Sequence, residues 1–173
     1  MTDTLEFDIK VSDIAIMCTI FGVQTNSNFI YCGVNGGNAN YEYYFYDTNY
    51  RNSMISANAN TYKNVIFHKG VSYFDIKNST DNSVITSKTK TVSSYNMNLP
   101  LYLGTNNSNG TPQSNPYGMK LYYYKSYLNG NLTKHLIPVI RRSDNAVCMY
   151  DLINDEFYLN VGSSSFVAGP VVE

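Results

Sequence analysis

Along most of this chain, apolar and polar residues alternate with a period of two. Leu5, Phe7, Ile9 and Val11 form one side of an extended segment, and Glu6, Asp8 and Lys10 form the other. Alternation of this kind marks a half-buried strand, because successive side chains of an extended chain point to opposite faces. No window shows the 3.6-residue recurrence of an amphipathic helix. After the first strand, the pattern predicts others at about 14–21, 29–34, 41–46, 51–56, 62–68, 71–77, 83–92, 99–104, 118–128, 133–141, 146–151 and 156–160. Turn chemistry separates them, as in Gln24-Thr25-Asn26-Ser27-Asn28, Asn35-Gly36-Gly37-Asn38, His68-Lys69-Gly70, Asn129-Gly130-Asn131 and Ser143-Asp144-Asn145. So many short strands need two packed sheets or a closed barrel, and a two-sheet β-sandwich is expected.

Composition sharpens this picture. Charged residues are 14 % of the 173, and the polar share is filled by 23 Asn, 17 Ser and 13 Thr. Seventeen Tyr and eight Phe supply the aromatics, with no Trp. Asn, Ser and Gly serve turns, and Tyr, Phe, Thr and Ile favour strands, which again gives an all-β protein. The length fits a single domain over 1–173. A net charge of −1 gives no basic field for nucleic acid, and no apolar run reaches the ~20 residues of a membrane-spanning helix. The start, Met1-Thr2-Asp3-Thr4-Leu5-Glu6, lacks the basic and apolar regions of a secretory leader, so export is expected to use another route or an upstream segment.

Three local features carry structural expectations. Cys18 and Cys32 lie seven residues either side of Thr25, the natural centre of a hairpin, and should face each other as small buried hydrophobes. An odd count of three cysteines excludes a complete disulfide framework, and Cys148 has no evident partner. Pro138 would break a central ladder and is expected at an edge or bulge. Thr105 to Tyr117 is polar and broken by proline, and is expected to project from the rim as a loop.

The stretch Met119–Gly169 has a more specific pattern. A lysine- and tyrosine-rich strand, Lys120 to Tyr127, leads to an Asn129-Gly130 turn and a strand ending in Ile137-Pro138 and Arg141-Arg142. Ser143-Asp144, Tyr150-Asp151-Leu152, Phe157-Tyr158 and a small-residue tail ending in Gly169 follow. This block resembles the concanavalin A-like (laminin-G-like) jelly-roll domains of tailed phages and prophages of gut bacteria; the earlier part agrees in strand rhythm only. The resemblance implies a two-sheet antiparallel jelly roll and a non-catalytic binding domain on the virion surface, at a tail tip, baseplate or head decoration, attaching to bacterial surface polysaccharide. Two alternatives stay open: a structural decoration or adaptor module contacting other virion proteins, and an adhesin module on a bacterial cell surface. Family members carry one more amino-terminal strand, so either this is a fragment of a longer protein or another chain supplies that strand, and an unpaired edge beside Leu5–Val11 is expected to be covered in an assembly, such as a homo-oligomer.

Candidate chemistry is sparse. Glycanases of the same superfamily alternate carboxylates on one strand, and the nearest approach is Glu6-Phe7-Asp8-Ile9-Lys10, with Lys at the third position. A solvated strand face explains Glu6 and Asp8 better, and no enzyme is expected. Arg141, Arg142, Asp144 and Asp151 read as structural ion pairs. His68 and His135 have no ligand-spaced partners, so no metal site or cofactor is expected. Calcium occurs in some laminin-G-like domains, but Asp47, Asp75 and Asp81 lack an Asp-x-Asp-x-Asp spacing. The best binding candidate is the tyrosine strand 41–47 with the loop before it: Asn35, Asn38, Tyr43, Tyr44, Tyr46 and Asp47. Sugar rings pack their C–H faces on aromatic rings while Asn and Asp hold hydroxyls; equally, strand tyrosines pack against cross-strand neighbours. Tyr50, Arg51 and Tyr62 are weaker additions, and the Asn106–Tyr117 loop is a rival location.

Overall fold

The computed structural model describes residues 4–11, 18–25, 28–35, 40–47, 50–58, 64–69, 73–89, 99–113, 119–161 and 165–169. Among the described residues there are strands and no helix. One sheet has eight strands, in the order β15 (Glu156–Tyr158), β14 (Ala146–Asp151), β13 (Asn131–Arg141), β12 (Met119–Leu128), β1 (Thr4–Val11), β6 (Asn64–Lys69), β7 (Tyr73–Asn78) and β8 (Val84–Thr89). The other has seven, in the order β11 (Thr111–Pro112), β10 (Asn106–Ser108), β2 (Cys18–Gln24), β3 (Asn28–Asn35), β4 (Asn40–Asp47) and β5 (Tyr50–Asn58), with β9 (Tyr102–Leu103) also paired to β2. Neighbours are antiparallel except β10, which runs parallel to β2. The protein is an all-β sandwich.

The chain alternates between the sheets, and β1 is the key insertion. It pairs with β12 through Thr4↔Tyr127 to Val11↔Met119, and with β6 through Leu5↔Lys69 to Lys10↔Asn64. The open edge expected beside Leu5–Val11 is therefore not there, since both sides of this strand are paired. Across the sheet, Ile76, Phe67, Phe7, Tyr124 and Leu136 are successive cross-strand partners. Ile76, Phe67, Tyr124 and Leu136 are buried, as are Val65 on this sheet and Ile20, Phe21 and Val23 on the other. Fully burying a side chain of this size stabilises by roughly 1.5–3 kcal/mol, so each buried member of this row contributes on that scale.

Turn chemistry follows the asparagines. Asn82, Asn109, Asn129 and Asn145 all have positive φ, the conformation a short side-chain amide tolerates best among residues with a Cβ. The Asn129-Gly130 turn has φ of 51° and 76° and joins β12 to β13, as its sequence requires.

Several expectations are corrected. Gln24 pairs with Phe29, so the first hairpin is centred one to two residues beyond the expected Thr25. β2 is described over Cys18–Gln24, past its expected end at 21, residues 14–17 lie outside the described residues, and its register to β3 shifts between Thr19 and Phe21. That bulge inserts Ile20, so that Ile20 and Phe21 are both buried. Because the hairpin is centred beyond Thr25, Cys32 falls opposite Phe21, and past the bulge Cys18 falls opposite Val34, so the two cysteines do not face each other. The segment Thr105 to Gln113 is no projecting loop. Asn106–Ser108 adds to β2, Thr111–Pro112 folds back on it, and Asn106 and Asn107 are buried. Side-chain amides satisfy this polar insertion: Asn107 donates to Pro100 O at 2.7 Å and accepts from Gly110 N at 2.8 Å.

Pro138 lies in an interior strand, yet its local setting is an edge. His135 N donates to Asp151 Oδ1 and His135 O accepts from Leu152 N, so His135 directs its backbone groups toward β14. Alternation turns Ile137 and Val139 the same way, and Leu136 and Pro138 toward β12. Pairing with β12 stops at Leu136, so the missing N–H of Pro138 falls where no ladder bond is made.

Candidate functional site

The face of the eight-stranded sheet opposite the core row carries a polar row. Its register sets Asp75 opposite His68, His68 opposite Glu6, Glu6 opposite Lys125, and Lys125 opposite His135. Five strands thus contribute one residue each. Directly opposed side chains lie on one face within reach of each other, and opposite charges there stabilise the pairing. His68 Nδ1 is 3.4 Å from Asp75 Oδ2, and Lys125 Nζ is 3.6 Å from Glu6 Oε1.

Aromatic and hydroxyl groups lace this row to the next. Tyr123 donates its hydroxyl to Glu6 Oε1 at 2.9 Å, and Lys125 Nζ stands 4.7 Å from the centre of the Tyr123 ring. The imidazole of His135 meets that ring edge-on at 6.3 Å between centroids. Asp8 accepts from Ser79 Oγ, which lies 2.9 and 2.8 Å from its two oxygens. Burial, then the Glu6 hydrogen bond and charge, push the Tyr123 phenol well above its ordinary range. Burial also raises the Asp8 carboxyl; the Ser79 hydroxyl opposes this and the Glu6 charge adds to it. His135 is lowered by burial and by the Lys125 ammonium.

Glu6 and Asp8 are therefore not a solvated strand face. They are half-buried and hydrogen-bonded because β1 lies inside the sheet, between β6 and β12. Each carboxylate still has lone pairs beyond those used, so the row can accept further hydroxyl donors.

A second polar centre holds the end of the sheet together. Asp151 is fully buried and accepts from His135 N at 3.0 Å, Ile153 N at 3.1 Å and Asn154 Nδ2 at 2.7 Å, with Lys134 Nζ at 3.6 Å. Burial alone would raise its carboxyl, but these donors outweigh it and the pKa is lowered. Lys134 also reaches the hydroxyl of Tyr158, which donates to Glu156 Oε2 at 2.8 Å. Of the residues expected to form structural ion pairs, Arg141 grips Asp144 with two bonds of 2.9 and 2.5 Å, holding the Asp144 carboxyl at about 2, whereas the cation beside Asp151 is Lys134.

Of the candidates on the tyrosine strand, Asn38 and Tyr62 lie outside the described residues. For Asn35, Tyr43, Tyr44, Tyr46, Asp47, Tyr50 and Arg51 the backbone alone is described. β4 is an interior strand: Tyr43 is opposite Cys32 and Ile55, Tyr44 opposite Tyr31 and Met54, Tyr46 opposite Phe29 and Arg51, and Asp47 opposite Asn28 and Tyr50. Asn35 closes the β3–β4 pairing opposite Asn40.

Sequence reasoning missed Tyr123, Lys125 and His135 as a group. Tyr123 and Lys125 lie within the lysine- and tyrosine-rich strand that the sequence marks, but nothing local brings Glu6 to them. Among the described residues there is no group of three or more His, Cys, Asp or Glu able to hold a metal ion. The Asp81 carboxylate is taken by its own turn, accepting from Ser83 N at 2.9 Å and Ser83 Oγ at 2.6 Å. No helix among the described residues is long and apolar enough to cross a membrane.

One more surface stands out by exposure. Leu152 and Ile153 in the β14–β15 turn, Phe157 on β15, Leu159 and Val161 after it, and Phe166 and Val167 beyond are all solvent-exposed. No protein-family model matches this chain, and no curated protein or solved structure is a significant match to it.

Proposed function

We propose that this chain is a non-catalytic attachment module of a tailed-phage particle, built as a concanavalin A-like jelly roll and binding bacterial surface glycan. The observation that carries the glycan reading is the polar face of the eight-stranded sheet, where Tyr123, Lys125, Glu6, Asp8 and His135 lie together half-buried. Aromatic rings among charged hydrogen-bonding groups match the two needs of a sugar, an apolar C–H face to stack and hydroxyls to hold. A non-catalytic role is supported by the sequence of β1, Glu6-Phe7-Asp8-Ile9-Lys10, where lysine stands at the third position of the alternating-carboxylate pattern. The phage setting is supported by the residue pattern of Met119–Gly169. A structural adaptor contacting other virion proteins is the second reading, favoured by the exposed apolar residues from Leu152 to Val167.

The test is staining of intact gut bacteria by the labelled domain, with and without periodate oxidation of surface sugars. Staining that periodate abolishes and Lys125→Ala weakens is the expected result. Loss on Tyr43→Ala, Tyr44→Ala or Tyr46→Ala with Lys125→Ala unaffected would move the site to β4. No staining of any strain by the folded, monodisperse domain would refute glycan attachment and leave the adaptor reading.

A further inference from the structure

Three asparagines in this chain are followed directly by glycine: Asn35, Asn109 and Asn129. Such a step can rearrange without an enzyme. The backbone nitrogen of the glycine attacks the side-chain carbonyl carbon of the asparagine, and glycine alone puts no Cβ in the way. Gly36 lies outside the described residues, so the structure bears on the other two steps.

Both of these are exposed two-residue hairpin turns, closed by Ser108↔Thr111 and by Leu128↔Asn131. Both have left-handed backbone, with φ of 49° and 91° at Asn109-Gly110 and of 51° and 76° at Asn129-Gly130. Exposure and conformation therefore do not separate them. The attacking nitrogen does. Gly110 N–H donates to Asn107 Oδ1 at 2.8 Å, and Asn107 is fully buried and itself donates to Pro100 O at 2.7 Å. Asn109 N is tied as well, donating to Gln24 O at 2.9 Å. For Gly110 N to attack, its bond must break and leave the buried Asn107 oxygen without that donor. Gly130 N–H makes no hydrogen bond among the described residues, so its attack breaks none.

We propose that Asn129 is a site of spontaneous deamidation, and that Asn109, in the same kind of turn, is protected. Gly130 N loses its proton to a solvent base and bonds to Asn129 Cγ; the Cγ–Nδ2 bond breaks, and the amide nitrogen takes up a proton and leaves as ammonia. The product is a succinimide ring. Water then opens it at Cγ, giving aspartate, or at the main-chain carbonyl, giving isoaspartate, whose backbone is longer by one carbon. Either product adds a carboxylate to the turn joining β12 to β13, and the longer backbone disturbs the pairing that sets Lys125 opposite His135. The chemistry does not depend on what the polar face binds.

Peptide mapping of the folded protein, aged in mildly alkaline buffer, reads the conversion at each site. Asn129 should convert about tenfold faster than Asn109, the difference that a bond of ~1.4 kcal/mol makes to a rate. Unfolded in urea, where both turns are gone, the two asparagines should convert at similar rates. Asn107→Ala removes the acceptor of Gly110 N and should bring Asn109 toward the rate of Asn129; the urea arm makes the same comparison if this variant does not fold. Equal rates at the two sites in the folded protein would overturn the inference. So would an Asn129 that stays intact while the unfolded chain converts, or a difference between the sites that persists unchanged in urea.

Discussion

Gly22→Ala should destabilise the fold, for a reason specific to the contact between β2 and β10. Gly22 is the parallel partner of Asn106, and a Cβ at position 22 would stand 2.5 Å from Asn106 Oδ1, 3.1 Å from its Cγ and 3.2 Å from its Cβ. Asn106 is buried and cannot swing aside freely, because its Nδ2 donates to Gln24 Oε1 and to Gln113 Oε1, each at 3.1 Å. The added methyl must therefore push the backbones apart or break the amide bonds. Overpacking of this kind costs about 1–3 kcal/mol, and each neutral hydrogen bond lost costs a further ~1 kcal/mol. Against this, alanine restricts the unfolded chain more than glycine and returns ~0.4–1 kcal/mol. The net expectation is a loss of about 2 kcal/mol, which for a chain of this size lowers the melting temperature by roughly 4–8 °C.

Urea unfolding at fixed pH reads the loss as a lower midpoint with an unchanged slope. The diagnostic arm is the double variant. Asn106→Ala removes Oδ1 and Cγ, the nearest atoms that a methyl at position 22 would strike. Gly22→Ala should therefore add little to Asn106→Ala, giving a coupling of about 1–2 kcal/mol between the two. Equal stability of wild type and Gly22→Ala, or full additivity in the double variant, would refute the steric account of this glycine.

Four further outcomes follow from the sheet. Asp151→Ala should lose about 3 kcal/mol in urea unfolding, because His135 N, Ile153 N and Asn154 Nδ2 give up bonds to a charged acceptor, while the one-third-exposed Lys134 adds little. The lowered pKa of Asp151 means that its stabilisation is full above the unfolded carboxyl value of ~3.9 and is lost as pH falls through the folded value; Asp151→Asn should flatten that acid limb. His135 has a lowered pKa, so the folded state resists its protonation and stability should fall as pH drops below the unfolded value of ~6.5; His135→Gln should remove this slope, read as midpoint against pH. Pro138→Ala should change stability by less than ~0.5 kcal/mol, since the restored N–H points where β12 pairing has already ended, and a larger loss would show that the ring itself packs.

What could be read from the sequence was what a short window contains. Most strand positions from Asn28 onward, apart from 105–113, and the hairpin turn at Asn129-Gly130 follow from local alternation and from residues that tolerate positive φ. The extension of β2 past Phe21 is hard to read, because the run Ile14, Ile16, Cys18, Ile20 keeps period two and the change of phase to Phe21 and Val23 that marks the bulge spans only three residues. Its meaning becomes clear only when the partner strand is known. The misreading of Thr105 to Gln113 has a different physical origin. Polarity excludes a segment from an apolar core, but Asn106 and Asn107 are buried with side-chain amides that make their own hydrogen bonds, so polarity there does not mean exposure.

The candidate site was hidden for a reason that also explains its form. Glu6 and Asp8 look like the outer face of a first strand, and a first strand is easily placed at an edge. Instead β1 is threaded between β6 and β12, which begin about 60 and 115 residues later. That single non-local choice turns an exposed acidic face into the centre of a row running from Asp75 to His135, and half-buries charges that would otherwise be solvated. An edge β1 would leave Glu6 without one of its two facing basic residues, His68 or Lys125. The interior position supplies both, so the alternation of acidic and basic residues from Asp75 to Lys125 favours this strand order over one with β1 outermost. The polar face is thus as much a determinant of topology as a candidate surface for recognition, and Lys125→Ala should register in both stability and staining.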